Sequence, residues 1–288
     1  MSRPVQKNAR AAPRGAPLTR SVMPPNTTIT MTDPTAIPKL RFGLVLWAAG
    51  MAGSAAITAM VLPQLLGQAQ VPLPAPLWVI SLAGLAQSAL LLALAVWAGI
   101  GLTPSVGLGA PALEAVVTGR PVGPALRSQI LPGLIAGVLG GILLFAAFRC
   151  APAAVADLQD RFAIPIVARV LYGGITEELL LRWGLMTALV WLAWRLLQQR
   201  HGLVRAGFVW LAIAVSALIF AAGHLPAASV LLGGLDVPVV AFVMGVNTAF
   251  GLLFGYLYWR HGLESAMIAH AMAHLVSFMA SLSWQGAA

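Results

Sequence analysis

The sequence predicts an all-α protein, a polytopic bundle of about seven transmembrane helices, from three observations. Of its 288 residues, 59% are hydrophobic and only 9% are charged, whereas about 25% of the residues in a soluble domain are charged. Apolar runs close to the roughly 20 residues that a helix needs to cross a bilayer recur along the chain. No segment of about ten residues alternates strictly between apolar and polar positions, so a transmembrane barrel is not expected.

The net charge of +9 is concentrated before the first apolar run, since seven of the seventeen Lys and Arg residues fall within the first 41 positions. This segment is also rich in Pro, Thr, Asn and Ser, a composition that predicts a disordered basic cytoplasmic tail over 1–41. Anionic lipid headgroups account for such a tail, so no nucleic-acid partner is expected. It is too long and polar for a signal-peptide n-region, and we expect no cleavage.

Three spans are predicted in the N-terminal part, 42–160. An apolar run after the basic tail predicts the first span at 42–62. The second and third spans, 77–101 and 131–148, flank a Pro/Gly-rich loop. Within the third span, glycines recur every four residues at Gly133, Gly137 and Gly141. Such faces allow helices to approach closely, and packing within the chain is the preferred interpretation over a dimer interface.

Four more spans are predicted in a motif-bearing core over 161–282, which a short tail over 283–288 follows. The segment 183–200 either extends the fourth span past a kink or forms a separate short helix. Basic residues concentrate in alternate loops, which predicts an integral membrane protein with a cytoplasmic N-terminus. The four spans are placed near 164–182, 207–225, 237–259 and 263–282.

Two adjacent glutamates, Glu177 and Glu178, lie inside the fourth span of a chain that has only eight acidic residues. An ionisable side chain at bilayer depth costs about 2.5–3.5 kcal/mol on insertion scales, and such groups usually mark a functional site. Glu178 and Arg182 are four residues apart, so they share a helix face and can form an ion pair. Glu177 points about 100° away. It is therefore expected to remain available for chemistry.

Histidines recur at helical spacing in two further spans. Phe220 precedes His224 by four residues, and His270 precedes His274 by four, a spacing able to hold a metal ion or a polarised water. Taken alone, an intramembrane histidine is more often a packing group. Together with the glutamates, these residues can activate water against an amide, with a carboxylate as general base and imidazoles positioning the water or stabilising the oxyanion.

This ordered set resembles the three motifs of the CPBP family of intramembrane proteases. That family groups CAAX prenyl endopeptidases with bacteriocin-processing and self-immunity (Abi-like) membrane proteins. The resemblance extends over roughly 164–282, and the N-terminal 160 residues contribute hydropathy but no motif. The residues that carry it are Glu177-Glu178-x-x-x-Arg182, Phe220-x-x-x-His224 and His270-x-x-x-His274.

The resemblance implies that Glu177 activates the water, that His224 works with it, and that His270 and His274 bind a metal or stabilise the oxyanion. Zinc and a metal-free glutamate mechanism both remain open. The candidate catalytic residues are Glu177, Glu178, His224, His270 and His274, with Arg182 as ion-pair partner, Phe220 as packing residue, and His224, His270 and His274 as candidate zinc ligands.

The sequence departs from the family pattern at two positions. His274 occupies a position where the family typically has Asn or Asp, and a neutral imidazole can either donate a hydrogen bond as Asn does or add a metal ligand. Trp183 follows Arg182 where a glycine is usual, with Gly184 displaced by one. The second departure concerns whether the helix is broken near Trp183, and it leaves the expected chemistry unchanged.

A single site also requires that the motifs lie at similar depth in the membrane. The predicted spans place Glu177 toward the inner end of the fourth helix and His224 toward the outer end of the fifth. The two motifs meet only if the fourth span extends toward Leu197 and the fifth toward Leu232.

The preferred hypothesis is therefore a membrane-embedded endopeptidase that hydrolyses a peptide bond close to the membrane. Its expected partners are the lipid bilayer and a peptide or protein substrate, which the resemblance allows to be lipidated. Two alternatives stay open: a non-catalytic scaffold or immunity protein of the same fold, and a proton- or cation-coupled transporter. Against the transporter, the chain shows no internal repeat and no paired broken helices.

Overall fold

The computed structural model describes residues 37–68 and 74–285, and this part of the chain consists of helices and short connections, without a β-strand. Seven stretches are long and apolar enough to cross a membrane, which confirms the predicted all-α bundle. They are formed by α1 together with α2, by α3, α5 and α7, by α8 together with α9, and by α10 and α11. The helices are α1 (Lys39–Met60), α2 (Leu62–Gln68), α3 (Leu77–Val106), α4 (Pro111–Thr118), α5 (Val122–Arg149), α6 (Ala153–Arg161), α7 (Ile166–Leu197), α8 (Ala206–Gly223), α9 (Leu225–Leu232), α10 (Val237–His261) and α11 (Leu263–Gln285).

The second and third spans are longer than predicted, because each helix continues through a proline. Helix α3 runs past Pro104 to Val106, and α5 already begins at Val122 with Pro132 inside it. Proline removes one helical hydrogen bond, but in membrane helices neighbouring groups satisfy the freed carbonyl, so the helix need not end. The predicted Pro/Gly-rich loop is accordingly short and contains helix α4.

The fourth and fifth spans are also longer than predicted, and their extension brings the motifs together. Helix α7 continues without interruption to Leu197, so most of the segment 183–200 belongs to the fourth span. The fifth span runs through His224 and α9 to Leu232. Both extensions are those that a single site requires.

Most of the predicted basic tail, residues 1–36, lies outside the described residues, as do residues 286–288 of the predicted C-terminal tail. Two of the basic residues assigned to the tail, Lys39 and Arg41, lie in the first turn of α1, because the helix begins directly after Pro38. Residues 283–285 belong to α11. The cytoplasmic position of the N-terminus stays a prediction.

Helix α7 lies in the core of the bundle. Its buried stripe consists of Leu179, Trp183, Met186 and Val190, each fully buried. The steps of four, three and four residues place them on one face of the helix. This stripe packs against α1 and α3, while α11 contacts the part of α7 that carries the two glutamates. The central position of α7 lets its other faces reach the histidines of two different spans.

Glycines bring α5 and α11 into close contact. A Cβ atom placed on Gly137 would lie 2.5 Å from the Cβ of Met272, and one on Gly141 would lie 2.5 Å from the Cβ of Val276. Only glycine fits at such separations, so the repeat packs within the chain, as preferred from the sequence. A corresponding contact joins α10 to α8, where a Cβ on Gly251 would lie 2.7 Å from that of Ala217.

Trp183 does not interrupt α7, although it stands where the family pattern has a glycine. Its indole packs edge-on against the ring of Phe42, with centroids 5.8 Å apart. The space for the indole comes from Gly99 of α3, because a Cβ there would overlap the Trp183 ring. The glycine that the pattern leads one to expect on α7 is thus replaced by one on the facing helix.

Replacing Gly99 by alanine is expected to lower the free energy of unfolding by about 1–3 kcal/mol, the usual cost of adding atoms to a well-packed core. The measurement is thermal unfolding of the purified protein in detergent. Gly101 is the matched control, because it lies in the same helix with no atom within 4 Å of an added Cβ. Equal stability of Gly99→Ala and Gly101→Ala would contradict the tight α3–α7 packing.

Candidate active site

Glu178 lies at the centre of a buried ionic cluster. Its side chain is 0% exposed, and its Oε1 lies 3.1 Å from Nη1 of Arg182 and 2.7 Å from Nδ1 of His270. The Arg182 contact is the ion pair expected from their four-residue spacing. Arg182 also donates from Nη2 to the carbonyl oxygen of Gly251 at 3.2 Å. Because a lone carboxylate in an apolar interior is very costly, the cluster depends on the nearby cation.

Glu178 also orients His270. With Nδ1 of His270 donating to the carboxylate, the lone pair of the imidazole is on Nε2, an assignment that follows from the hydrogen-bond partner. The Phe254 ring stacks on the imidazole at a centroid separation of 4.5 Å and fixes its plane. The Nε2 atom consequently faces Glu177, at 3.8 Å from its Oε2.

Glu177 occupies a different face of α7 and is more accessible than Glu178, with 15% of its side chain exposed. Its Oε1 lies 4.0 Å from Nε2 of His224, and its Oε2 lies 3.8 Å from Nε2 of His270. Both separations exceed a direct hydrogen bond and suit one bridging water. Glu177 therefore makes no described ion pair with an arginine and has two imidazoles opposite its carboxylate.

Two π-helical stretches of α7 meet at the glutamates: one, Arg169–Glu177, ends at Glu177, and the other, Leu179–Met186, begins directly after Glu178. Stretches with this wider hydrogen-bonding pattern are rare and occur frequently at functional sites.

His224 lies at the junction between α8 and α9, where Pro226 follows in the first turn of α9. Its Nδ1 donates to the carbonyl oxygen of Phe220 at 2.9 Å, which leaves the lone pair on Nε2, the atom that faces Glu177. With 38% of its side chain exposed, it is the most accessible residue of the set. Phe220 lies edge-on to His224 at 4.8 Å and covers the guanidinium of Arg182 at 5.0 Å.

His274 adjoins the site without contacting a carboxylate of the described residues within 4.0 Å. Its ring lies 4.9 Å from that of His270, centroid to centroid. Its Nδ1 is buried and has no hydrogen-bond partner in the part of the chain that the structure describes. His274 thus lies beside His270, with its Nδ1 buried and unpaired among the described residues.

The structure brings together the sequence-predicted residues of three spans in one site, and their catalytic roles stay predictions. Two contributors were missed, the carbonyl of Gly251 and the ring of Phe254. Gly251 was noted only for close helix packing, and no motif distinguishes Phe254 from other apolar residues of α10.

The fit of a metal can be tested on these distances. Two ligands at about 2.0–2.1 Å from a tetrahedral zinc are about 3.4 Å apart, shorter than the separations of Glu177 from His224 and His270. Within residues 37–68 and 74–285, no group of three His, Cys, Asp or Glu side chains is arranged to hold a metal ion. Zinc binding by His224, His270 and His274 therefore gains no support from these distances and stays a prediction.

The motif-bearing part of the chain is similar to a known family. Residues 159–276 match the sequence model of the family described as type II CAAX prenyl endopeptidase Rce1-like. The match covers all of the motif residues and confirms the resemblance to the CPBP family over this segment. No curated protein and no solved structure matches the chain.

Replacing Glu178 by glutamine is expected to destabilise the protein by about 3–5 kcal/mol, because it leaves the Arg182 charge buried without its counter-ion. Chemical unfolding in detergent measures the change. Glu177→Gln is the matched control, since Glu177 has no arginine partner in the described structure, and it should unfold like the wild type. Adding Arg182→Met to Glu178→Gln should recover part of the loss. A fully stable Glu178→Gln variant would show that the pair does not hold the fold.

Proposed function

We propose that this chain, whose residues 159–276 match the type II CAAX prenyl endopeptidase family, is an intramembrane endopeptidase that cleaves a peptide bond near the membrane. The family implies endopeptidase activity in general. The observation that carries the specific proposal is the contrast between two neighbouring carboxylates. Glu178 is neutralised by Arg182, whereas Glu177 faces two imidazole nitrogens at distances that suit a bound water.

In the proposed mechanism, Glu177 is the general base. A water that donates one hydrogen to Glu177 and the other to the Nε2 lone pair of His270 or His224 transfers the first proton to the carboxylate as its oxygen attacks the carbonyl carbon of the peptide. The carbon–nitrogen bond then breaks, and the proton passes from Glu177 to the departing amine. General base catalysis of this kind contributes about 10²–10⁴-fold to a rate.

The imidazoles supply positioning and charge stabilisation. His270 is held by Glu178 and Phe254, so its Nε2 points in a fixed direction and the water loses little further freedom on binding. His274 is the proposed donor to the developing oxyanion, the role that the resemblance assigns to its position. Donors that are already aimed at the site of developing charge are effective because they need no reorganisation.

A substrate is proposed to approach from the side of His224. That residue is more exposed than Glu177, and it lies at the junction between α8 and α9. The substrate is a peptide or protein segment at the membrane, and a lipid-modified segment is included in the proposal. Unmodified and prenylated peptides are therefore both needed in the first assay.

Glu177→Gln is expected to abolish cleavage, with a loss of at least about 10²-fold in kcat, because glutamine cannot accept the proton of water. The assay is hydrolysis of a quenched peptide library, with prenylated and unmodified members, by the purified protein in liposomes. Glu114→Gln is the matched control, since Glu114 lies on α4 and takes no part in the site. Its activity should equal that of the wild type.

Equal cleavage by wild type and Glu177→Gln would remove Glu177 as the base. No cleavage by a folded wild type on either kind of peptide would favour a non-catalytic scaffold of the same fold.

We also propose that the reaction proceeds without a metal, since the described side chains do not converge on a zinc position. Activity is expected to persist after treatment with a chelator, and metal analysis should find far less than one zinc per chain. Wild type before and after treatment provides the comparison. Loss of activity that added zinc restores would contradict the proposal and identify the enzyme as a metalloprotease.

A further inference from the structure

We propose that Gly173 is a positioning residue of the site, whose missing side chain lets Nε2 of His270 and Nε2 of His274 approach the backbone of α7 one turn before Glu177. This inference rests on the proposed function, because it concerns the same site. Gly173 lies on α7, four residues before Glu177, and therefore on the same side of the helix. No motif includes it.

Two imidazoles approach one backbone position on α7. A Cβ placed on Gly173 would lie 2.9 Å from Nε2 of His270 and 2.9 Å from Nε2 of His274. Real Cβ atoms essentially never have a non-bonded heavy atom closer than 3.0 Å. Both rings thus direct the same nitrogen at the bare backbone of α7, and any side chain at this position would meet both.

The ring of His270 is held by its own contacts, and the position of His274 is set by helix α11. His270 is held at 2.7 Å by Glu178 and stacked on Phe254. His274 lies beside it on α11, which the glycines of α5 hold in close contact. Because the contacted atoms are the ends of side chains, a methyl group on residue 173 would turn the two imidazoles, and so turn Nε2 of His270 away from Glu177, rather than displace the helix backbone.

Gly173 also accounts for the histidine at position 274. An imidazole extends further from the backbone than the Asn or Asp of the family pattern, and its Nε2 is the atom that reaches Gly173. The longer side chain of His274 on α11 fits because Gly173 on α7 has no side chain. Gly173 and His274 are consequently expected to depend on each other.

The test compares Gly173→Ala with Gly174→Ala in liposomes, with kcat, KM and thermal stability measured for both. Gly174 is the matched control because it is also buried and faces α11, but its added Cβ would meet Ala271, at 3.0 Å, and no imidazole. Gly173→Ala should lower kcat by at least about tenfold with little change in KM, since small misplacements of catalytic groups cost up to about 10²-fold. Gly174→Ala should lower stability and leave kcat unchanged.

The second arm places Gly173→Ala in a His274→Asn background. The loss in kcat caused by Gly173→Ala should be several-fold smaller there, because the shorter Asn leaves room for the methyl group. An equal loss in both backgrounds, or an equal loss from Gly174→Ala, would overturn the proposal. If Gly173→Ala does not fold alone, folding of Gly173→Ala/His274→Asn supports the proposal, and failure of both to fold contradicts it.

Failure of the inference can be told apart from failure of the proposed function. If wild type cleaves peptides and Glu177→Gln does not, but Gly173→Ala behaves like Gly174→Ala, only the role of Gly173 is wrong. If wild type does not cleave, the proposed function itself fails.

Discussion

The need to neutralise one buried carboxylate organises the rest of the site. Glu178 lies where water does not reach, so its charge requires Arg182 one turn along the same helix. Arg182 in turn needs acceptors and aromatic faces, which Gly251, Phe254 and Phe220 provide from α10 and α8. The hydrogen bond from His270 adds α11. Four helices are thereby held together by the surroundings of one ion pair, and Glu177, His270 and His274 lie on two of them.

Adjacent positions on a helix give the two glutamates opposite environments without any special loop. A change of one residue turns the side chain by about 100°, so Glu178 faces the packed interior while Glu177 faces His224 and the accessible side. The buried carboxylate contacts Arg182 and His270, and the accessible one is the proposed general base. With two glutamates, one can form the buried ion pair while the other stays accessible to water, which a single glutamate could not do at once.

The parts of this structure that follow helical periodicity were predictable from the sequence, whereas those that depend on packing between helices were not. Hydropathy gave seven spans, and four-residue spacing gave the approach of Glu178 to Arg182. The predicted end of α3 and the predicted start of α5 were wrong. Hydropathy does not show whether neighbouring groups form hydrogen bonds with the backbone carbonyls that Pro104 and Pro132 leave unpaired. The hydrogen bond between Glu178 and His270 joins residues 92 positions apart, and only the tertiary arrangement determines which glutamate it reaches.

The glycine contacts between α5 and α11 have a consequence for the depth of the chemistry in the bilayer. Helix α11 carries His270 and His274, and its side chains at Met272 and Val276 fit over glycines of α5. A slip of α11 by one turn would move His270 by about 5.4 Å along the helix axis, far beyond hydrogen-bonding distance of Glu178. Helix α5, which lies in the part of the chain without a motif, thus fixes the depth in the membrane at which the proposed catalytic water would lie.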